Sequence, residues 1–147
     1  MTPVPELKIR KVETNEYRTC ARIYASAWNK ALPEAQREIG VDDFKNEIAD
    51  ELTLVATLGN QIVGFISIWE PDWFIHHLYV DPSNHRSGVG GSLIAHVERL
   101  AGDRPLSLKC QTANRGAIGF YTAIGFDDAL ADGVDEYGSW VLLVKDV

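Results

Sequence analysis

Apolar and polar positions divide the chain into segments of two periods. LKIRKV (7–12) reads as a first strand. From Tyr17 onward, Cys20, Ala21, Tyr24, Ala27, Trp28 and Ala31 recur at helical spacing. Thr14 or Asn15 is the predicted cap of that helix, and Pro33 lies at or just past its end. VDDFKNEIAD (41–50) predicts a second helix. LTLVATL (52–58) and QIVGFISIW (61–69) read as strands, and Gly59-Asn60 between them is a two-residue hairpin signal. After the break at Pro71, WFIHHLYV (73–80) gives another strand, closed by Asp81-Pro82. Helical spacing returns at Val89, Leu93, Val97 and Leu100 and ends near Ala101. LSLKC (106–110) predicts a strand, and Ala117, Phe120, Tyr121 and Ile124 trace a short helix with Asn114 as cap and Gly125 at its end. WVLLVK (140–145) predicts a closing strand, while 127–139 reads equally as loop or as a further strand.

The order is therefore β, α, α, three consecutive strands, α, β, α and closing strands. A hairpin meander beside a strand–helix–strand unit implies a mixed α/β fold, with helices on the faces of a mixed sheet. The 147 residues suit one domain, 1–147, with a real core. No apolar run approaches the ~20 residues of a membrane span. MTPVPELKIR has no apolar stretch of the secretory kind, so a cytoplasmic chain without membrane contact is expected. Cys20 and Cys110 fall in apolar patterns, which predicts buried thiols rather than a disulfide. Fourteen basic against 21 acidic residues give a net charge of -7, which disfavours nucleic acid. Such a surface tolerates a cationic substrate such as an amine, or simply aids solubility.

The feature that breaks the regularity is HRSGVGGSLI (85–94). Each glycine costs a helix roughly 1 kcal/mol, yet a helix starts among them. The first N–H groups of a helix lack internal partners and lie at the positive end of its dipole. Glycines let an anion approach those groups closely, so the turn reads either as a phosphate site or as a tight packing turn. No Lys-Ser/Thr follows, so it is not a P-loop. Leu93 stands where a dinucleotide fingerprint would have its third glycine. Gly-x-Ser-x-Gly is also missing, which disfavours a hydrolase built on Ser87 or Ser92. His76 and His77 are adjacent on a strand, where side chains diverge, and no third ligand is evident, so no metal is expected.

LYVDPSNHRSGVGGSLI (78–94) resembles the signature of the GNAT superfamily of acetyl-CoA-dependent N-acyltransferases, Gln/Arg-x-x-Gly-x-Gly/Ala after a strand of the LYVDP type. His85 stands where Gln or Arg is usual. NRGAIGFYTAIGF (114–126) is similar to the family's Asn-x-x-Ala-x-x-Phe-Tyr-x-x-x-Gly-Phe block at every named position. The resemblance implies a GNAT fold: a central, mostly antiparallel mixed sheet of about six or seven strands between helical layers, about four helices in all. It also implies N-acetyl transfer from acetyl-CoA to an amine, small-molecule or peptide, and it allows a homodimer. The alternative is a module of the same fold that binds acyl-CoA without catalysing.

By that resemblance Leu78, Tyr79 and Val80 supply main-chain contacts to the pantetheine arm. His85, Arg86, Ser87, Gly88, Val89, Gly90 and Gly91 cradle the pyrophosphate, Ser92 adds its backbone or hydroxyl, and Asn114 touches the arm. Tyr121 matches the tyrosine that protonates the leaving thiolate, and the Val80 N–H becomes the oxyanion donor. Several members carry a catalytic glutamate at the position of Phe74, where this chain has none. His76 matches a histidine that relays the amine proton in serotonin N-acetyltransferase-like members; it reads equally as a partly exposed histidine with a structural hydrogen bond. Alternation along the strand puts Phe74, His76, Leu78 and Val80 on one face and His77 on the other.

Overall fold

The computed structural model describes residues 6–85 and 87–146. Seven strands form one sheet: β1 (Leu7–Lys11), β2 (Leu52–Leu58), β3 (Gln61–Trp69), β4 (Phe74–Val80), β5 (Leu106–Gln111), β6 (Asp127–Asp135) and β7 (Gly138–Lys145). Their order is β1-β2-β3-β4-β5-β7-β6. All neighbours are antiparallel except β4 and β5, which are parallel. The helices are α1 (Tyr17–Ala31), α2 (Val41–Glu47), α3 (Val89–Ala101) and α4 (Arg115–Ala123).

The fold has three layers because each helix buries one apolar stripe against one face of the sheet. Cys20, Ile23, Tyr24 and Trp28 of α1 pack with Phe44 and with Val55 and Phe65 of the sheet. On the opposite face, Leu93, Ile94 and Val97 of α3 meet Ile66, Ile68, Leu106 and Leu108, and Tyr121 and Phe126 close that core. The predicted hairpin forms at Gly59-Asn60, where Gly59 takes φ +60° and Leu58 pairs with Gln61.

Two local expectations change and one open reading is decided. Neither Thr14 nor Asn15 caps α1. The Glu16 carboxylate accepts the Glu13 N–H at 2.8 Å and is held by Arg10 at 2.7 Å, which winds 14–16 into a 3-10 turn ahead of the helix. The second helix stops at Glu47 rather than Asp50, and Asp50 takes φ +64°. The ambiguous stretch 127–139 is β6 with the turn into β7.

Two irregularities of β4 create the site. Register against β3 passes from Ile68–Ile75 to Ser67–His77, so His76 is an extra residue, a β-bulge. A bulge bends its strand and increases the local twist. β4 also pairs with β5 only at Phe74–Ser107 and Ile75–Leu108. Beyond those pairs β4 follows β3 as far as Val80, and β5 follows β7 as far as Gln111. The gap between them opens toward the residues that precede α3 and α4.

Candidate active site

The bulge overturns the predicted alternation. Ile75, Leu78 and Val80 pack on the α3–α4 side, with a step of three residues rather than two from the first to the second. His76 sides with His77 instead, and their rings lie 4.0 Å apart. The environments differ. His77 is 3% exposed; its Nε2–H donates to Glu47 Oε1 at 3.0 Å and its Nδ1 accepts from the Ser67 hydroxyl. His76 is exposed, and its Nδ1–H donates to Glu51 Oε2 at 2.9 Å. A carboxylate can only accept, so this bond fixes the neutral tautomer with Nε2 bare.

His76 lines a cleft of about 880 Å³ that fills the strand gap. The Asp81 N–H donates to Val63 O at 2.8 Å. In an antiparallel ladder the bonds to one neighbour recur at alternate residues. The amides of Val80 and Leu78, opposite Gly64 and Ile66, therefore turn away from β3 and into the gap. Tyr79 directs its backbone toward β3, and its ring stacks on Tyr24 at 4.5 Å.

At the open end of the gap lies the glycine turn. Gly88 takes φ +83°, a conformation costly for any other residue, and starts α3. The first helical bond runs from Ser92 N to Gly88 O, which leaves the amides of Val89, Gly90 and Gly91 without acceptors inside the helix. A Cβ on Gly90 would meet Phe120 at 3.2 Å, whereas one on Gly91 would meet nothing within 4 Å. Gly90 thus packs α3 on α4, and Gly91 leaves open space in the cleft. His85 donates from Nε2 to Val80 O at 3.2 Å, tying the turn back to β4. Ser87 is bonded to Asn84 O. Ser87 and Ser92 are not among the cleft-lining residues, and Arg86 lies outside the described residues. Asn114 lines the cleft while its Oδ1 caps α4 through the Ala117 N–H at 3.2 Å. Tyr121 is 8% exposed and faces the cleft; burial, and then Cys110, push its phenol upward, so it keeps its proton at neutral pH. Both cysteines are free and buried, and burial lifts Cys110 to about 11.

Behind the histidines lies a polar network. Tyr24 Oη donates to Glu47 Oε1 at 2.9 Å, and Arg37 Nη1 donates to Tyr24 Oη at 2.6 Å. Arg37 Nη2 reaches Glu47 Oε2 at 3.3 Å, and the guanidinium lies 4.6–5.2 Å from the rings of Tyr24, Trp28 and Tyr137. Burial alone would raise the Glu47 carboxyl, but the bonds from His77 and Tyr24 and the charge of Arg37 outweigh it and hold it at about 2. Burial lowers His77, against the pull of Glu47. One ligand atom each from Glu47, His76 and His77 lie within 4.8 Å of one another, so the predicted divergence fails and a third candidate metal ligand exists.

A split parallel pair, a bulged strand and a glycine-started helix facing one cleft form the layout that the two sequence blocks imply. The model of the Acetyltransferase (GNAT) family matches residues 15–126. The chain belongs to that family. No curated protein matches it. Among solved structures, the GCN5-related N-acetyltransferase from Rhodopseudomonas palustris is 23% identical, with 100% of this chain and 99% of that one covered and a TM-score of 0.81. The PaiA N-acetyltransferase from Thermoplasma acidophilum, solved in complex with coenzyme A, is 19% identical, covers 97% and 99% and scores 0.83. The ribosomal-protein-S18-alanine N-acetyltransferase from Escherichia coli is 18% identical, covers 97% and 94% and scores 0.75. These likenesses give this GNAT chain its fold, with a seven-stranded mixed sheet and four helices. Among the described residues no helix is long and apolar enough to cross a membrane.

In this GNAT chain Glu47, Glu51 and Arg37 went unread in the sequence. They are charged residues around a seven-residue helix, with no spacing signal. Only the bulge, which no residue type announces, brings the two carboxylates to the two histidines.

Proposed function

We propose that the chain is an N-acetyltransferase that uses acetyl-CoA and an amine acceptor by direct attack. The observation that carries this reading is the convergence on one cleft of a bare histidine nitrogen, a buried phenol, unpaired strand amides and unpaired helix-start amides. The open space at Gly91 and the free amides of Leu78 and Val80 fit an anionic, amide-bearing arm. Acetyl-CoA supplies the thioester when bound. The amides of residues 89–91 would hold the pyrophosphate, and the Leu78 amide the arm. Val80 N–H donates to the charge that develops on the carbonyl oxygen.

A lysine-like amine has a pKa near 10.4 and must lose a proton before it attacks. His76 Nε2 takes that proton, directly or through water, while Glu51 holds the ring's other nitrogen. Tyr121 Oη gives a proton to the departing sulfur. Glu47 and His77 are support beneath this face, and Arg37 brings to Glu47 the positive charge that a metal would bring.

The test pairs acetyl-CoA calorimetry with thiol release over a panel of amines and N-terminal peptides. At least one amine is expected to be acetylated, with mass spectrometry showing the amide. Tight acetyl-CoA binding with no release above blank across the panel would make the chain an acyl-CoA-binding module instead.

A further inference from the structure

On the face of β4 that meets α1, the polar side chains are His76, His77 and Tyr79. His76 is bonded to Glu51, and His77 to Glu47 and Ser67. Among the described residues, three side-chain polar atoms lack a partner and are sealed from solvent: Thr53 Oγ1, Trp73 Nε1 and Gln111 Oε1. Tyr79 Oη has no partner among these residues either, yet it is not sealed, and half-buried Tyr79 lines the cleft. Its backbone does not explain that place, because the strand bonds of Tyr79 run to β3, opposite Phe65. The ring is what meets the cleft.

The ring lies 4.5 Å from Tyr24 with 25° between the planes, so α1 holds it flat. α1 runs antiparallel to β4: Arg22 reaches Asp81 at 3.5 Å, and Tyr24 stacks on Tyr79 and edges His77 at 5.0 Å. About one and two turns beyond Tyr24, Ala27 and Ala31 line the cleft and offer it only methyl groups. A recess therefore lies between this helix wall and β4. His76 and Tyr79 flank it, their rings centred 4.0 Å and 6.1 Å from their common neighbour His77. Burial pushes the Tyr79 phenol well above its ordinary range, and Tyr24 and Tyr121 act the same way, so it keeps its proton at neutral pH. Tyr121 belongs to the opposite face of the sheet, so its influence on Tyr79 crosses the gap between β4 and β5.

We propose that the Tyr79 hydroxyl binds the acceptor, accepting the one N–H that the amine keeps throughout the reaction. This rests on the acetyl-transfer reading. Once His76 has taken the ammonium proton, a primary amine has a lone pair and two hydrogens. One hydrogen leaves nitrogen as the C–N bond forms and the C–S bond breaks, and it replaces the proton that Tyr121 gives to sulfur. The other stays on the product amide, and Tyr79 holds it. A phenol oxygen accepts such a bond without moving a proton, so the lone pair is aimed at the thioester carbon. A secondary amine has no hydrogen to keep, and its extra carbon faces an oxygen that finds no donor.

The experiment compares wild type with Tyr79→Phe on an acetylated primary amine and on its N-methyl derivative, by thiol release. Phenylalanine keeps the ring and its stack on Tyr24 and removes only the oxygen. For the primary amine kcat/KM is expected to fall roughly three- to tenfold, the worth of one neutral hydrogen bond, chiefly through KM. The N-methyl amine should be hardly affected, so the preference for the primary amine narrows. Melting temperature, acetyl-CoA affinity by calorimetry and the shape of the pH profile should match wild type, which separates this role from a structural one and from that of His76. An unchanged kcat/KM for the primary amine would overturn the inference and leave acetyl transfer intact. Equal losses on both amines, or a matching loss of acetyl-CoA affinity, would overturn it too. Acetyl-CoA binding with no amine acetylated would remove the underlying reading, and this inference with it.

Discussion

The two faces of the sheet solve different problems. Toward α3 and α4 the core is built from Leu93, Ile94, Val97, Ile66 and Leu106, and Tyr121 brings a phenol to the cleft. Toward α1 and α2 the same sheet buries Ser67 and His77 and ties them through Glu47 and Tyr24 to Arg37. A buried apolar face needs only volume and pattern, so it tolerates change in small steps. A buried charged network is stable only while every member is paired, so loss of one member leaves another stranded. One face should therefore lose function without losing its fold when its polar atom is removed. The other should lose its fold first.

Tyr121→Phe breaks the comparison hardest. It removes only an oxygen, so the melting temperature should stay close to wild type while kcat falls on the order of 100-fold or more. Unchanged turnover would take the proton-donor role from Tyr121. Glu47→Ala should do the reverse. It leaves His77 and Arg37 without their carboxylate and should cost on the order of 3 kcal/mol in a urea titration, with kcat per folded molecule much less affected. A stability loss within experimental error would mean that the network is not holding α2 to the sheet.

Acid should weaken the same face. Glu47 is depressed from 4.5 to about 2, so its contribution is full above pH 4.5 and disappears as pH falls toward 2. His77, lowered from 6.5, acts in the same direction, because the unfolded chain takes up that proton first. Denaturation midpoints should fall on acidification from neutral pH, and the part below pH 4.5 should be flattened in Glu47→Gln. The smallest effect is expected at Gly91→Ala. The added methyl meets no protein atom and replaces a poor helix former, so stability should rise by up to ~1 kcal/mol. Acetyl-CoA affinity should nevertheless fall, read by calorimetry, because the methyl enters the cleft.

The sequence speaks unevenly about these two faces, for physical reasons. β2 and β3 begin and end where their apolar runs and the Gly59-Asn60 signal say, because both signals are local. Gly88, Asn114 and Tyr121 are legible because a positive φ, a cap and a motif each need a particular residue type. The bulge at His76 is not legible, since any residue can be the extra one, and it alone undoes the alternation argument for β4. Glu47 and Glu51 are hidden for a related reason. Solvent-facing carboxylates and network carboxylates look alike until the tertiary fold turns them inward. β6 stayed open between loop and strand because Asp127, Asp128, Asp132 and Asp135 give it the composition of a loop, and pairing with β7 at the sheet edge decides its conformation.

Proton transfer through His76, held by Glu51 at the bulge, is the central claim, and the pH dependence of kcat/KM tests it most directly. Wild type, His76→Ala and Glu51→Gln are compared on one acetylated amine, with saturating acetyl-CoA. His76→Ala should be slowest, relative to wild type, at low pH, where the amine proton is hardest to remove. Glu51→Gln, whose amide oxygen can still accept from Nδ1–H, should keep the acid-side activity that His76→Ala lacks. Three superimposable profiles, differing at most in height, would contradict the claim and take His76 out of the chemistry.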